Sequence, residues 1–238
     1  MSLTRLLIGI NVLVFAWMLV TGGGFALLGG DVTGAFLYAH GAMRPYDVLV
    51  LGQWWRIVSS AFVHLSAVHI LMNMIALNYV GAPVEWLYGK PRYALVYALA
   101  LVGAGVSVVY FTEPGAFTAG ASGAIFGLFG ALVAAGLRLG KRGRSLITSV
   151  VPVIVLNLVF TFAVPGISAA AHLGGLLTGF IAGFVLFMIP SRPRDSAYAY
   201  AFAPAADAGR VETIEQPPDA GPHEDADAPP LEARDPRE

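Results

Sequence analysis

The 238-residue chain contains no cysteine, which excludes a disulfide framework, a thiolate nucleophile and a Cys-ligated metal. It is also poor in charge. Only 12% of residues are Asp, Glu, Lys or Arg, against 57% hydrophobic, and the mean hydropathy is +0.70. A soluble globular domain carries roughly twice that charged fraction, so a bilayer is the natural solvent. Acidic residues are almost missing from the first four fifths of the chain, where only Asp31, Asp47, Glu85 and Glu113 stand against nine Lys and Arg, a formal +5. The remainder holds 11 acidic residues and five Arg, a formal −6. The near-neutral total of −1 is therefore the sum of two unlike parts, and neither part suggests a nucleic-acid partner.

What the chain has is apolar length. A membrane-crossing helix needs about 20 mostly apolar residues, and six segments qualify: 3–20, 68–88, 93–111, 119–137, 146–162 and 167–189. The first resembles a signal peptide, but Val20 leads into Thr21 and a glycine run with no small-residue cleavage pattern, so it is read as a retained helix. The 21–67 connection mixes glycine turns with apolar stretches and Tyr46, Trp54 and Trp55, as short elements at a membrane interface do. The fold class expected is all-α, a polytopic six-helix bundle spanning 1–190. From 191 to 238 Pro, Ala, Asp and Glu dominate, and the expectation is a disordered acidic tail.

Orientation follows from the basic residues of the short connections. Lys90 and Arg92 follow the second span, Arg138, Lys141, Arg142 and Arg144 the fourth, and Arg192 and Arg194 the sixth, whereas the loops after spans three and five have none. Both termini are expected on the cytoplasmic side, in a bacterial plasma membrane. Arg44 and Arg56, in the long first loop, run against this pattern.

Polar groups inside a span are costly and therefore candidates for function. Span two holds His69, Asn73 and Asn78, span four Ser122, span five Asn157, and span six Ser168, His172 and Thr178. With the orientation above, His69, Ser122 and His172 share one depth, within about two turns of the outer ends. His69 and Asn73 are four residues apart and share a helix face. Ser122 lies in Gly120-Ala121-Ser122-Gly123 at a helix start, where backbone N–H groups lack partners and favour negative charge. His172 is a base of suitable range for its hydroxyl, and the Ser122 N–H with the His69 and Asn73 side chains is an oxyanion site in outline. The competing reading is structural: Gly123, Gly127 and Gly130, and Gly175 and Gly179, form small-residue stripes for close helix packing, and Asn78 and Asn157 are interhelical glue. His64 is interfacial in this reading, while His40 and His223 carry no signal.

Gly120-Ala121-Ser122-Gly123, His69-Ile70-Leu71-Met72-Asn73 and Ala171-His172-Leu173-Gly174-Gly175-Leu176-Leu177-Thr178-Gly179 resemble the G-x-S-G, H-x-x-x-N and A-H-x-x-G-x-x-x-G signatures of rhomboid intramembrane proteases, in the family's order. Trp55-Arg56, the run from Phe62 to Ser66, and Glu85 after Gly81 add to the likeness. The resemblance implies a serine endopeptidase with a Ser122 nucleophile and a His172 general base. It implies no third acidic member, an oxyanion site from His69, Asn73 and the Ser122 backbone, Gly120 and Gly123 in the nucleophile loop, and neither cofactor nor metal. Its expected partners are transmembrane protein substrates, cut near the outer end of a span, within the lipid bilayer. Pro165-Gly166 breaks the helix above His172, so 163–170 is read as a mobile outer cap. The chain departs from the family where Ala169, Ala170 and Ala171 precede His172, and the sequence names no group to orient that ring. The alternatives are a catalytically silent rhomboid-like protein that binds membrane proteins for quality control, and a small transporter.

Overall fold

The computed structural model describes residues 1–29 and 32–189. The stretch 191–238, with His223 and the expected acidic tail, lies outside the described residues. The chain is helical: α1 (Leu3–Met18) runs through a π-helical turn (Leu19–Gly23) into short α2 (Gly24–Gly29), α3 (Gly34–Ala39), α4 (Pro45–Leu49) and α5 (Arg56–Ser59). Then come α6 (Ala67–Tyr88), α7 (Lys90–Phe111), α8 (Ser122–Arg138), α9 (Arg144–Ala163) and α10 (Ala169–Met188). Among the described residues five helices are long and apolar enough to cross a membrane, and α8, at 17 residues, is a shorter apolar helix. The architecture is the expected all-α polytopic bundle.

Two helix starts differ from the hydropathy reading by three residues, each for a local reason. The fourth apolar run begins at Ala119, but Gly120 has φ +123°, closed to a right-handed helix, so α8 starts at Ser122. Helix α7 starts at Lys90 instead of Tyr93, because Pro91 occupies its first turn, where its missing N–H costs nothing.

Helix α8 is the centre. Every residue from Gly123 to Leu132 is buried, and α7, α10, α6 and α9 pack around it. In lipid no hydrophobic force draws helices together, so close packing of small residues must. A Cβ on Gly175 would overlap the Gly123 carbonyl oxygen, one on Gly179 the Gly127 carbonyl, and one on Gly130 the Leu176 carbonyl. Thus α8 and α10 touch backbone to backbone along their length. The packing function expected of these stripes is present.

Helix α1 is anchored by its N-terminus, whose first N–H groups have no partners within the helix. Glu85 of α6 supplies them: one carboxylate oxygen accepts from Leu3 N–H at 2.8 Å, the other from Thr4 N–H at 2.9 Å, Thr4 Oγ1 at 2.9 Å and Ser2 Oγ at 2.7 Å. One turn earlier on the same face, Gly81 lacks the Cβ that would strike the Thr4 side chain. The spacing of Gly81 and Glu85 is the footprint of α1 on α6.

The 21–67 segment is a folded cap held by two arginines. Arg56, 3% exposed, donates through Nη1 to the Tyr38 and Ala42 carbonyls at 2.9 and 2.8 Å, through Nε to Gln53, and lies over the Tyr38 ring. Arg44 makes a two-point pair with Asp47 at 2.8 and 2.7 Å. Both are engaged inside the loop. His40, without signal in the sequence, ties the loop to the end of α1: its Nδ1 bonds the Phe36 carbonyl and its Nε2 lies 2.8 Å from Thr21 Oγ1. A bridge between Met43 and Thr118, at 3.0 and 2.8 Å, clips this segment to the α7–α8 connection.

His64, just ahead of α6, is fully buried, stands edge-on to His69 at 5.1 Å, and has no partner for Nε2. Its place just ahead of α6 is where the sequence reading puts it, and there it is packed into the protein. Burial, with the neighbouring His69, pushes it down to about 3 from 6.5. An unfolded chain therefore takes up this proton before the folded one, and stability is full above 6.5 and lost as pH falls toward about 3.

Two measurements in detergent follow. Gly179→Ala should lower unfolding stability by about 1–3 kcal/mol or more, whereas Gly9→Ala, with open space around its Cβ, should leave it unchanged or slightly raised. Equal effects would refute the backbone contact. The melting temperature of the wild type should drop on going from about pH 7 to about pH 5, with His64 contributing about 1.4 kcal/mol per pH unit below 6.5. His64→Gln should show a shallower drop, and an unchanged slope would contradict the assignment.

Candidate active site

Ser122 is the first residue of α8, and its position is set by the turn before it. Gly120 donates its N–H to the Ser60 carbonyl at 2.8 Å, and the Met43–Thr118 bridge lies two residues further back. This places the first N–H groups of α8, that of Ser122 among them, where no preceding turn supplies acceptors.

His172 enters from α10. Its fourth-preceding residue Ser168 caps the helix, accepting from Ala171 N–H at 3.2 Å, and the contact of Gly123 with Gly175 brings α10 against α8 at the level of Ser122. The result is a bond of 2.8 Å between His172 Nε2 and Ser122 Oγ, between residues 50 apart in sequence. The imidazole is 8% exposed.

Two further groups hold that ring, and neither was singled out from the sequence. The Phe126 ring stacks on it at 4.2 Å, with planes 15° apart. Thr161 of α9 places Oγ1 2.7 Å from His172 Nδ1. Phe126 had a readable signal, since it lies four residues after Ser122 and shares its helix face. Thr161 had none: it is a hydroxyl on another helix, and nothing in its spacing points to His172.

The other side of Ser122 is formed by α6. A Cβ on Gly120 would strike the His69 ring at 2.8 Å and approach Asn73 Nδ2 at 3.7 Å, so both side chains lie against the Gly120 backbone. Asn73 Nδ2 donates one hydrogen to the His69 carbonyl at 3.1 Å and keeps a second. His69 Nδ1 accepts from Leu65 N–H at 3.4 Å, which leaves the proton of a neutral ring on Nε2, on the side of the ring that lies against Gly120. Serine, imidazole base and three N–H donors thus converge on one region.

The structure therefore gathers Ser122, His172, His69, Asn73, Gly120 and Gly123. It leaves other polar residues elsewhere. Asn157 is exposed on α9, its Nδ2 donating to the Val153 carbonyl, and Asn78 is exposed on α6. Thr178 lies against Gly103 of α7 as packing. The turn at 164–168 between α9 and α10 is largely exposed and bends at Gly166, beside the N-terminal end of His172's helix.

The family model described as Rhomboid domain matches residues 51–189. Rhomboid protease GluP of Bacillus subtilis is 35% identical over 187 residues, 78% of this chain and 35% of that protein. Putative rhomboid protease YdcA of the same organism is 32% identical over 136 residues, 56% of this chain and 68% of its own. RHOMBOID-like protein 5 of Arabidopsis thaliana is 34% identical over 143 residues, 58% of this chain and 46% of its own. The chain spans about a third of the length of the first of these relatives and under half of the last. The matched region includes Arg56 itself, helices α6 to α10 and every residue gathered around Ser122. The chain belongs to the rhomboid family and is an integral, multi-pass membrane protein.

Proposed function

We propose that the chain is an intramembrane serine endopeptidase that hydrolyses peptide bonds in or near transmembrane segments of other membrane proteins. The observation that carries this reading is the 2.8 Å contact of His172 Nε2 with Ser122 Oγ, beside the donors of α6 and the start of α8. GluP and YdcA, both named as rhomboid proteases, support it.

In this mechanism Ser122 Oγ attacks the scissile carbonyl while its proton passes to His172 Nε2. The carbonyl oxygen gains the negative charge, and the Ser122 N–H, Asn73 Nδ2–H and His69 Nε2–H stabilise it. Collapse breaks the C–N bond, and His172 returns the proton to the leaving amine. A water then attacks the acyl-enzyme carbonyl and gives a proton to His172; the C–Oγ bond breaks, His172 returns that proton to Ser122 Oγ, and the product leaves as a carboxylic acid. No cofactor or metal takes part.

A helical substrate hides its carbonyls in backbone hydrogen bonds, so it must unwind before one reaches Ser122. The exposed 164–168 turn above His172 is the element that moves to admit it. Both termini lie on the cytoplasmic side of a bacterial plasma membrane and the site opens to the outer side. This orientation is supported by the basic residues between α6 and α7 and between α8 and α9. The membrane domain runs to about residue 190.

In membranes, a fluorophosphonate probe should label the wild type on Ser122 and fail to label Ser122→Ala. His172→Ala should lose both labelling and cleavage of a transmembrane substrate. A folded wild type that neither labels nor cleaves is a silent member of the family, and the protease reading fails. Asn73→Ala and His69→Ala should each retain partial activity, with kcat reduced about 10²- to 10³-fold and KM little changed. An Asn73→Ala protein that melts earlier yet keeps wild-type kcat would make Asn73 a structural tie.

A further inference from the structure

We propose that Thr161 is a positioning residue that fixes His172 in the one neutral tautomer able to accept the Ser122 proton, an inference that rests on the Ser122–His172 reading above.

The argument is a count of hydrogens. A threonine hydroxyl has one hydrogen to donate and lone pairs to accept with. Thr161 Oγ1 lies 2.7 Å from the carbonyl oxygen of Asn157, which can only accept, so the hydroxyl hydrogen is committed there. This back-bond to the residue four earlier is the ordinary habit of threonine in a helix. The second contact of the same oxygen, 2.7 Å to His172 Nδ1, must then be an N–H donated to oxygen. A neutral imidazole carries one N–H. With it on Nδ1, Nε2 holds a lone pair, and it faces Ser122 Oγ at 2.8 Å. The chain reads Ser122 O–H to His172 Nε2, His172 Nδ1–H to Thr161 Oγ1, Thr161 O–H to the Asn157 carbonyl.

The opposite tautomer would put an N–H toward Ser122 and a lone pair toward an oxygen whose hydrogen is already used. Burial enforces the choice, because Thr161 is 4% exposed and excludes competing water, while its neighbours Phe160 and Phe162 are exposed. Phe126, stacked flat on the ring, supplies no polar partner and leaves the tautomer to Thr161. When His172 takes the serine proton, Nδ1–H remains donated to Thr161, so the chain survives the transfer. A hydroxyl here does the orienting work of a carboxylate without burying an anion in a membrane domain. Since Thr161 belongs to α9, the productive tautomer also depends on that helix lying against α10.

The test compares Thr161→Val, which keeps the shape and deletes the hydroxyl, with Thr161→Ser, which restores it. Readouts are kcat and KM on a transmembrane substrate, the rate of fluorophosphonate labelling at Ser122, melting temperature, and ¹⁵N spectra of histidine-labelled protein, with the His172 signals identified by their loss in His172→Gln. The wild-type spectrum should show Nδ1 protonated and Nε2 bare. Thr161→Val should show both tautomers, with kcat and labelling reduced about tenfold, as for one lost hydrogen bond, and KM unchanged. Thr161→Ser should return them to within about twofold. A Thr161→Val protein with wild-type kcat and an unchanged His172 spectrum would overturn the proposal, whatever its melting temperature. So would a wild-type spectrum with the His172 proton on Nε2, a result that does not depend on Thr161→Val folding. Absence of Ser122 labelling in the wild type would overturn the protease reading instead, with the tautomer still measurable.

Discussion

The contact of α8 and α10 through glycine is the constraint from which the site follows. Ser122 and His172 come from helices whose backbones meet at Gly123 and Gly175, each within three residues of the group it positions. Hydrophobic burial cannot set such a distance in a bilayer, because lipid is as good an apolar neighbour as another helix. Removing side chains from the seam does set it: the backbones close until carbonyl oxygens touch Cα atoms, and the next side chains out, a serine and a histidine, come within hydrogen-bond reach. The same seam continues at Gly127, Gly130 and Gly179, so the Ser122–His172 contact is held by the whole length of two helices. One set of glycines thus serves packing and, through packing, the meeting of these two side chains.

The polar groups outside the site obey a second rule, that irregular backbone in a membrane domain must find its hydrogen bonds within the protein. Glu85 takes up the start of α1, Arg56 takes up the Tyr38 and Ala42 carbonyls, and Arg44 is matched by Asp47. These pairings turn a long connection into a rigid cap, and the cap reaches the site through the Met43–Thr118 bridge and the bond from Gly120 to Ser60. Gly120, held from that side, has the positive φ that ends the loop and lets α8 begin at Ser122. The position of Ser122 is the joint product of the glycine seam on one side and the loop cap on the other.

In the mechanism proposed, charge appears only in passing, on the imidazole and on the oxyanion, and every group that meets it is neutral. The donors of α6 and of the α8 start face one side, and the Thr161 hydroxyl faces the other. A site in low-dielectric surroundings gains from this, since a permanent anion would need a permanent partner, whereas oriented neutral dipoles act at full strength when charge develops.

Much of this was legible in the chain itself. Apolar length alone located the six helices, because a bilayer sets a minimum span and leaves backbone polar groups no alternative to a helix. The scarcity of polar residues inside those spans made Ser122, His172, His69 and Asn73 conspicuous, and a four-residue spacing placed the last two on one face. Hydropathy misplaced the start of α8, since it weighs Ala119 and Gly120 as apolar and does not register a backbone angle. Thr161 and Phe126 were missed for different reasons. Phe126 looks like any aromatic in an apolar helix, while Thr161 acts across a helix interface, where separation along the chain carries no information about distance. The sequence by itself determined which residues were too polar to be in a membrane without cause; only the tertiary structure decided which hydroxyl meets which ring nitrogen, because that depends on how closely three helices pack.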